Sequence, residues 1–161
     1  MTNSDLANRI RAIFLHDEPA VSTETAAALL GWSRAELTRA IATSEVEAKY
    51  SCSGRVIGIE EVVGKALEMW PLEAIEEALG RDAALVLPPE LRTQSFSVRL
   101  PRYQIAMLRV LAQQRQTTVG HLISRQLEYL ADEHMHEMSA AIPGFSDAFH
   151  WPHVVEETKP C

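Results

Sequence analysis

Apolar residues recur at helical spacing from the start of the chain. Leu6, Ile10, Ile13 and Phe14 fall on one face of a helix that begins near Ser4 and stops before Pro19. Thr23–Leu30 is rich in Ala and Leu and ends at Gly31, a residue suited to a left-handed closing turn. Ser33-Arg34-Ala35-Glu36 then has the spacing of a capping box, which opens a helix to about Thr43 with Leu37 and Ile41 turned inward. The order is helix, tight turn, helix. Val46–Tyr50 and Arg55–Ile59 read as two short strands joined through Ser51-Cys52-Ser53-Gly54 as a hairpin. Helical spacing resumes over Glu60–Trp70, and Pro71 opens another short helix that ends at Gly80. Leu87-Pro88-Pro89 disfavours helix, so a domain boundary is expected there.

Beyond the boundary the period changes to two. Phe96, Val98 and Leu100 alternate with Ser95, Ser97 and Arg99, which predicts a strand with one buried and one exposed face, ended by Pro101. Arg102–Gln116 follows as a helix apolar around more than half its circumference, with Ile105, Met107, Leu108, Val110, Leu111 and Ala112. Thr117-Thr118 breaks that pattern and offers a Thr N-cap. A second helix then turns Val119, Leu122, Ile123, Leu127 and Leu130 inward. A strand, two helices and a turn of this length cannot enclose a core, and a lone strand has no ladder partner. A homodimer answers both needs: the strand pairs with its symmetry mate as an antiparallel ribbon, and four helices interlock beneath it.

Ser95-Phe96-Ser97-Val98-Arg99-Leu100-Pro101, a helix, and Thr118-Val119-Gly120 opening a second helix together resemble a ribbon-helix-helix repressor of the MetJ/Arc class. The resemblance covers residues 92–134. It implies that paired strands enter the major groove of double-stranded DNA and that Ser95, Ser97 and Arg99 read base edges. It also implies a backbone phosphate clamp at Thr118, Val119 and Gly120. The chemistry of the residues agrees. Arg bonds guanine O6 and N7 bidentately, Ser is a short donor and acceptor, and a helix start supplies free amides with partial positive charge. Arg92 and Arg102 are candidate additional phosphate contacts. More faintly, Val21–Ser33 with the Arg34–Thr43 helix, hairpin and closing helix resembles the winged helix-turn-helix of excisionases and MerR-type regulators. That likeness implies a second DNA contact through Arg34, Thr38 and Arg39 on the helix and Lys49 and Arg55 on the wing. A protein-interaction module fits the same pattern.

Charge sharpens this organisation. The 161 residues carry 15 Lys+Arg against 22 Asp+Glu, net −7, which argues against indiscriminate binding to a polyanion. Residues 92–134 nevertheless carry six arginines against three carboxylates, a basic island between acidic flanks. With 47% hydrophobic and 23% charged residues the chain is of globular type rather than disordered or fibrous. The expected fold class is mainly α: an N-terminal helix-turn-helix-like domain with a small β-hairpin over 1–80, a linker over 81–91, a ribbon-helix-helix segment over 92–134 forming an intertwined homodimer, and an acidic, aromatic-containing tail over 135–161.

Two cysteines, Cys52 and Cys161, without a C-x-x-C pair make a disulfide framework or zinc ribbon a poor fit. His134 and His136 are splayed by their spacing, and His150-x-x-His153 holds a proline, so no metal site and no cofactor are expected. Nucleophile-elbow, zinc-protease, P-loop and dinucleotide motifs are absent, so no enzymatic activity is expected. Met1-Thr2-Asn3-Ser4-Asp5 lacks a signal-peptide layout and no apolar run is of membrane-spanning length, giving the expectation of a cytoplasmic protein. The functional expectation is a homodimeric, sequence-specific transcriptional regulator, with higher oligomers on DNA compatible with the class. The alternative is an antitoxin-like or adaptor protein that binds a protein partner through its N-terminal domain or through residues 142–153, where Phe145, Phe149 and Trp151 must pack on the chain's own dimer or on that partner.

Overall fold

The computed structural model describes residues 3–51 and 54–153; Met1, Thr2, Cys52, Ser53 and Cys161, which enter the sequence reading, lie outside them. The chain is mainly helical with a small antiparallel sheet, and it divides into two compact units. The first runs to Thr93 and takes in the chain again from His150; the second is Gln94–Phe149.

The first unit begins with α1 (Asn3–Phe14), β1 (Ala20–Ser22), α2 (Thr23–Leu30) and α3 (Arg34–Ala42). Ser22 caps α2 by accepting from the Thr25 amide, and Gly31 closes it at φ 72°, donating back to the carbonyls of Ala27 and Ala28. That left-handed turn is where glycine's freedom matters, since any Cβ there is penalised and would also meet the Arg9 guanidinium. The Ser33–Glu36 capping box is formed in full: Glu36 Oε2 accepts from the Ser33 amide at 2.6 Å and Ser33 Oγ from the Glu36 amide at 3.2 Å.

The hairpin follows as β2 (Ala48–Ser51) and β3 (Gly54–Gly58), then α4 (Ile59–Met69), α5 (Leu72–Leu79) and α6 (Ala83–Val86). The expected hairpin forms between β2 and β3, and β1 adds a third strand by pairing with β3, so that the strand order is β1-β3-β2. Three residues between Pro19 and the first residue of α2 carry too short an alternation to register as a strand. Ile57 on the central strand faces Val21 on one side and Ala48 on the other and is fully buried. It joins Ile10, Ile13, Val62, Ile75 and Leu79 in the centre of the core, where α1 packs against α2, α4 and α5.

Residues 81–91, expected as a linker, belong to this unit. Ala83 and Leu87 are buried in its core, and Leu87 follows the one-turn helix α6. The prolines end the helix, as their missing amides require, but the apolar residues before them still need cover. The end of the unit therefore lies at Thr93.

The second unit contains α7 (Arg102–Gln114), α8 (Val119–Glu133), α9 (Met135–Ala141) and most of α10 (Phe145–His150). Gln116 at φ 52° and the bond from the Thr117 amide to the Ala112 carbonyl close α7, and Thr118 caps α8 by accepting from the His121 amide. Residues 94–101 form no helix and no ladder within the chain, so the alternating segment meets no strand partner of its own. Among the described residues of this unit only Ala112 and Leu122 are buried. Of the positions of α8 expected to face inward, Ile123, Leu127 and Leu130 are exposed and Val119 is half-buried.

The expected tail over 135–161 is divided. Phe145 and Phe149 stack at 6.3 Å within α10, whereas Trp151 stacks on Phe14 at 6.2 Å and packs against the core of the first unit. Among the described residues no helix is long and apolar enough to cross a membrane.

Candidate nucleic-acid interface

Position in a period-two segment decides which side chains of residues 95–100 share a face. Ser95, Ser97 and Arg99 are exposed, as base readers must be. Phe96 and Val98 are exposed as well, at 89% and 59%, so the apolar face of the segment is uncovered in a single chain. Arg92 and Arg102 at its two ends are solvent-facing. Pro101 precedes the first residue of α7 in extended geometry and starts the helix without a side-chain cap.

At the start of α8 the Thr118 hydroxyl is occupied by the His121 amide, and the Leu122 amide bonds the Thr118 carbonyl. The amides of Val119 and Gly120 lie in the first turn, where the helix itself supplies no acceptor, so they point out with the positive end of the helix dipole. The three residues named for a phosphate contact therefore divide into one cap and two donors.

The helical face named for a second contact is also formed. Arg34, Ala35, Thr38, Arg39 and Ala42 line one open side of α3. Two details reduce what it offers. The Thr38 hydroxyl donates to the Arg34 carbonyl at 2.8 Å, and Arg34 lies 3.9 Å from the Glu24 carboxylate. On the hairpin Lys49 pairs with Val56 and Tyr50 with Arg55, so alternation puts Lys49 and Arg55 on opposite faces. The structure does not bring these two cations together. Instead it joins Arg55 to Tyr50, the guanidinium 5.2 Å from the ring centroid and donating to the phenol oxygen at 2.7 Å. The sequence reading missed Tyr50, and only knowledge of the hairpin register could have found it.

The capping box that starts α3 carries a charge-dependent element. Its two hydrogen bonds with Ser33, from hydroxyl partner and backbone, hold the Glu36 carboxyl below its ordinary value of 4.5. A lowered folded value means that the ionised cap stabilises α3 fully above the ordinary carboxylate range and loses that contribution as pH falls through the lowered value. Wild type is therefore expected to melt above Glu36→Gln at neutral pH, with the difference closing on acidification. A difference independent of pH in paired thermal melts would show that the charge is not involved.

The histidines do not converge. His134 lies 3.7 Å from Glu137 and His153 3.9 Å from Glu61, and among the described residues no group of three or more His, Cys, Asp or Glu side chains is placed to hold a metal ion. A contact that the sequence reading missed lies before the alternating segment: the Thr93 amide donates to Glu76 Oε1 at 2.8 Å. Comparison with protein-family models, with curated proteins and with solved structures gave no match.

Proposed function

We propose that this chain is a homodimeric, sequence-specific DNA-binding regulator of the ribbon-helix-helix type. The observation that carries the reading is the second unit's want of a core. Two helices rich in Leu, Ile, Val and Met bury only Ala112 and Leu122, while Phe96, Val98, Met107, Val110, Leu127 and Leu130 are exposed. Apolar surface gathered on one small unit is costly in water and marks an association face. A second copy supplies at once the missing strand partner and the cover for the helices.

Pairing of the two segments would gather two copies of Ser95, Ser97 and Arg99 on the polar face of one ribbon, of a width that the major groove admits. The Val119 and Gly120 amides, with Arg92 and Arg102, would then hold phosphates and set the docking. Twofold symmetry in the protein calls for a pseudo-palindromic target. The basic island of residues 92–134 supports this reading against the acidity of the whole chain. The open face of α3 and the Tyr50–Arg55 pair are a second, weaker set of DNA contacts. For the protein-partner alternative, Trp151 has lost its weight, since its ring is covered by Phe14 of its own chain.

Selection of bound fragments from random duplex DNA at about 150 mM salt, where non-specific binding is weak, tests the proposal. Wild type is expected to enrich a palindromic motif. Arg99→Ala is expected to lose about 1–3 kcal/mol on that motif and little on random DNA. Equal losses on both would reduce Arg99 to a phosphate contact, and no enrichment by a folded dimer would end the regulator reading.

A further inference from the structure

α7 carries two apolar faces, and α8 takes only one of them. At helical spacing Ile105, Leu108 and Ala112 share a face; Ala112 is buried and Leu108 half-buried where α7 packs against α8. Tyr103, Met107 and Val110 share the opposite face, with Ala106 among them, and all four are exposed. Each α7 turns one face to the core of a twofold dimer, and the face that already meets α8 is the one that the partner's helices extend. The opposite stripe points away from it. The inference that follows rests on the homodimer reading above, and it assigns Met107 and Val110, counted there among the exposed residues, to a separate contact.

Charge decides what fits the stripe. Arg102 and Arg109 stand two turns apart along one edge of it, both exposed and without an ion-pair partner among the described residues. α7 has no carboxylate of its own. A further copy of the same helix is therefore a poor occupant: a twofold axis between two such stripes brings the same edge of each helix together, guanidinium against guanidinium with no counter-charge. DNA is a poor occupant as well, since phosphates gain nothing from tyrosine, methionine and valine. The surface is complemented by a helix with an apolar stripe of its own and carboxylates along one edge at the same two-turn spacing. Met adapts its shape to such a partner, Tyr adds a large apolar ring with a polar tip, and Arg holds a carboxylate bidentately.

We propose that this outer stripe of α7 is a docking surface for an acidic amphipathic helix of another protein, with apolar side chains seated on Tyr103, Met107 and Val110 and carboxylates on Arg102 and Arg109. The consequence is regulatory. Arg102 is also a phosphate contact of the proposed DNA complex, so a helix that occupies it takes a cation from the duplex and weakens DNA binding while the dimer stays whole.

A synthetic amphipathic helix of about four turns is the probe, with leucines along one stripe and glutamates two turns apart beside it; a control peptide has lysine at those glutamates. Titrated into the full chain, the glutamate peptide is expected to bind and the lysine peptide is not. Arg109→Glu is expected to weaken the glutamate peptide about tenfold and to admit the lysine peptide, a reversal that non-specific adhesion does not produce. Met107→Gln combined with Val110→Gln is expected to weaken the glutamate peptide by about tenfold or more through lost burial, and to leave the sedimenting dimer and its DNA selectivity unchanged. The glutamate peptide should lower the affinity of wild type for its selected DNA motif and have no such effect on the double variant. Equal binding of the two peptides, or binding of neither, overturns the inference. So does dissociation of the dimer in the double variant, which would return Met107 and Val110 to the dimer face and leave the dimer reading intact. Retention of wild type but not of the double variant on phosphatidylserine vesicles would give the stripe to a membrane and overturn the inference as well. A wild type that sediments as a monomer ends the dimer reading, while the reversal at Arg109 still decides the docking surface.

Discussion

Leu127→Lys is expected to leave the chain folded and to abolish its self-association. Leu127 is 57% exposed in the single chain, so a lysine there meets water and costs the isolated unit little. In the proposed dimer the same position lies under the ribbon against the partner's helices. Losing a buried leucine removes about 1.5–3 kcal/mol, and the twofold axis counts the loss twice. The dissociation constant is thus expected to rise roughly a hundred- to ten-thousand-fold, before the added cost of burying two ammonium groups. Sedimentation over a dilution series measures it, and DNA selectivity should disappear together with the dimer. A variant that still sediments as the dimer would place the association face elsewhere. A wild type that is monomeric at every concentration would remove the reason for the exposed apolar residues of α7 and α8 advanced above.

The second large effect is expected inside the first unit. Ile57 is fully buried on the central strand of a three-stranded sheet, facing Val21 and Ala48 across its two ladders and lying in the same cluster as Ile10 and Val62. Ile57→Ala removes three carbons from a site that strands on both sides prevent from collapsing, at a cost of about 2–5 kcal/mol. For a unit of this size that corresponds to a fall in melting temperature of roughly 10–30 °C. Because the buried cluster around Ile57 lies wholly within the first unit, self-association through the second should survive while the first melts early, which calorimetry and sedimentation on the same sample would reveal. Simultaneous loss of both would mean that the units do not fold independently.

These two substitutions sit at opposite ends of what could be read without a structure. The capping box at Ser33, the left-handed turn at Gly31, the Thr118 cap and the helices around them follow from local chemistry: a side-chain oxygen within reach of an unpaired amide, or a residue without Cβ where one is penalised. The alternation over Ser95–Leu100 and the basic island around it were equally legible, because period and charge need no partner to be visible. The short strand β1 was not. Three residues carry too little periodicity, and only the ladder to β3 makes Ala20–Ser22 a strand. The residues expected as a linker failed for a related reason: prolines at 88 and 89 mark where a helix must stop, but not that Ala83 and Leu87 before them are claimed by a core assembled from distant segments.

The candidate site divides in the same way. Ser95, Ser97 and Arg99 as one face, and Val119 and Gly120 as free donors, follow from strand and helix geometry alone. The hairpin register, which sends Lys49 and Arg55 to opposite faces and joins Arg55 to Tyr50, depends on which residues pair across a turn. The sequence by itself determined α1 to α5, α7 and α8, the caps at Ser33, Gly31 and Thr118, the basic island and an amphipathic segment without a partner, since each arises from interactions within a few residues; α6, α9 and α10, in the expected linker and tail, were not among them. Only the tertiary structure decided that β1 completes a sheet, that Trp151 returns to Phe14, and that Glu76 holds Thr93 just before the alternating segment. Those contacts join residues far apart along the chain, and no local propensity encodes which distant surface a side chain will meet.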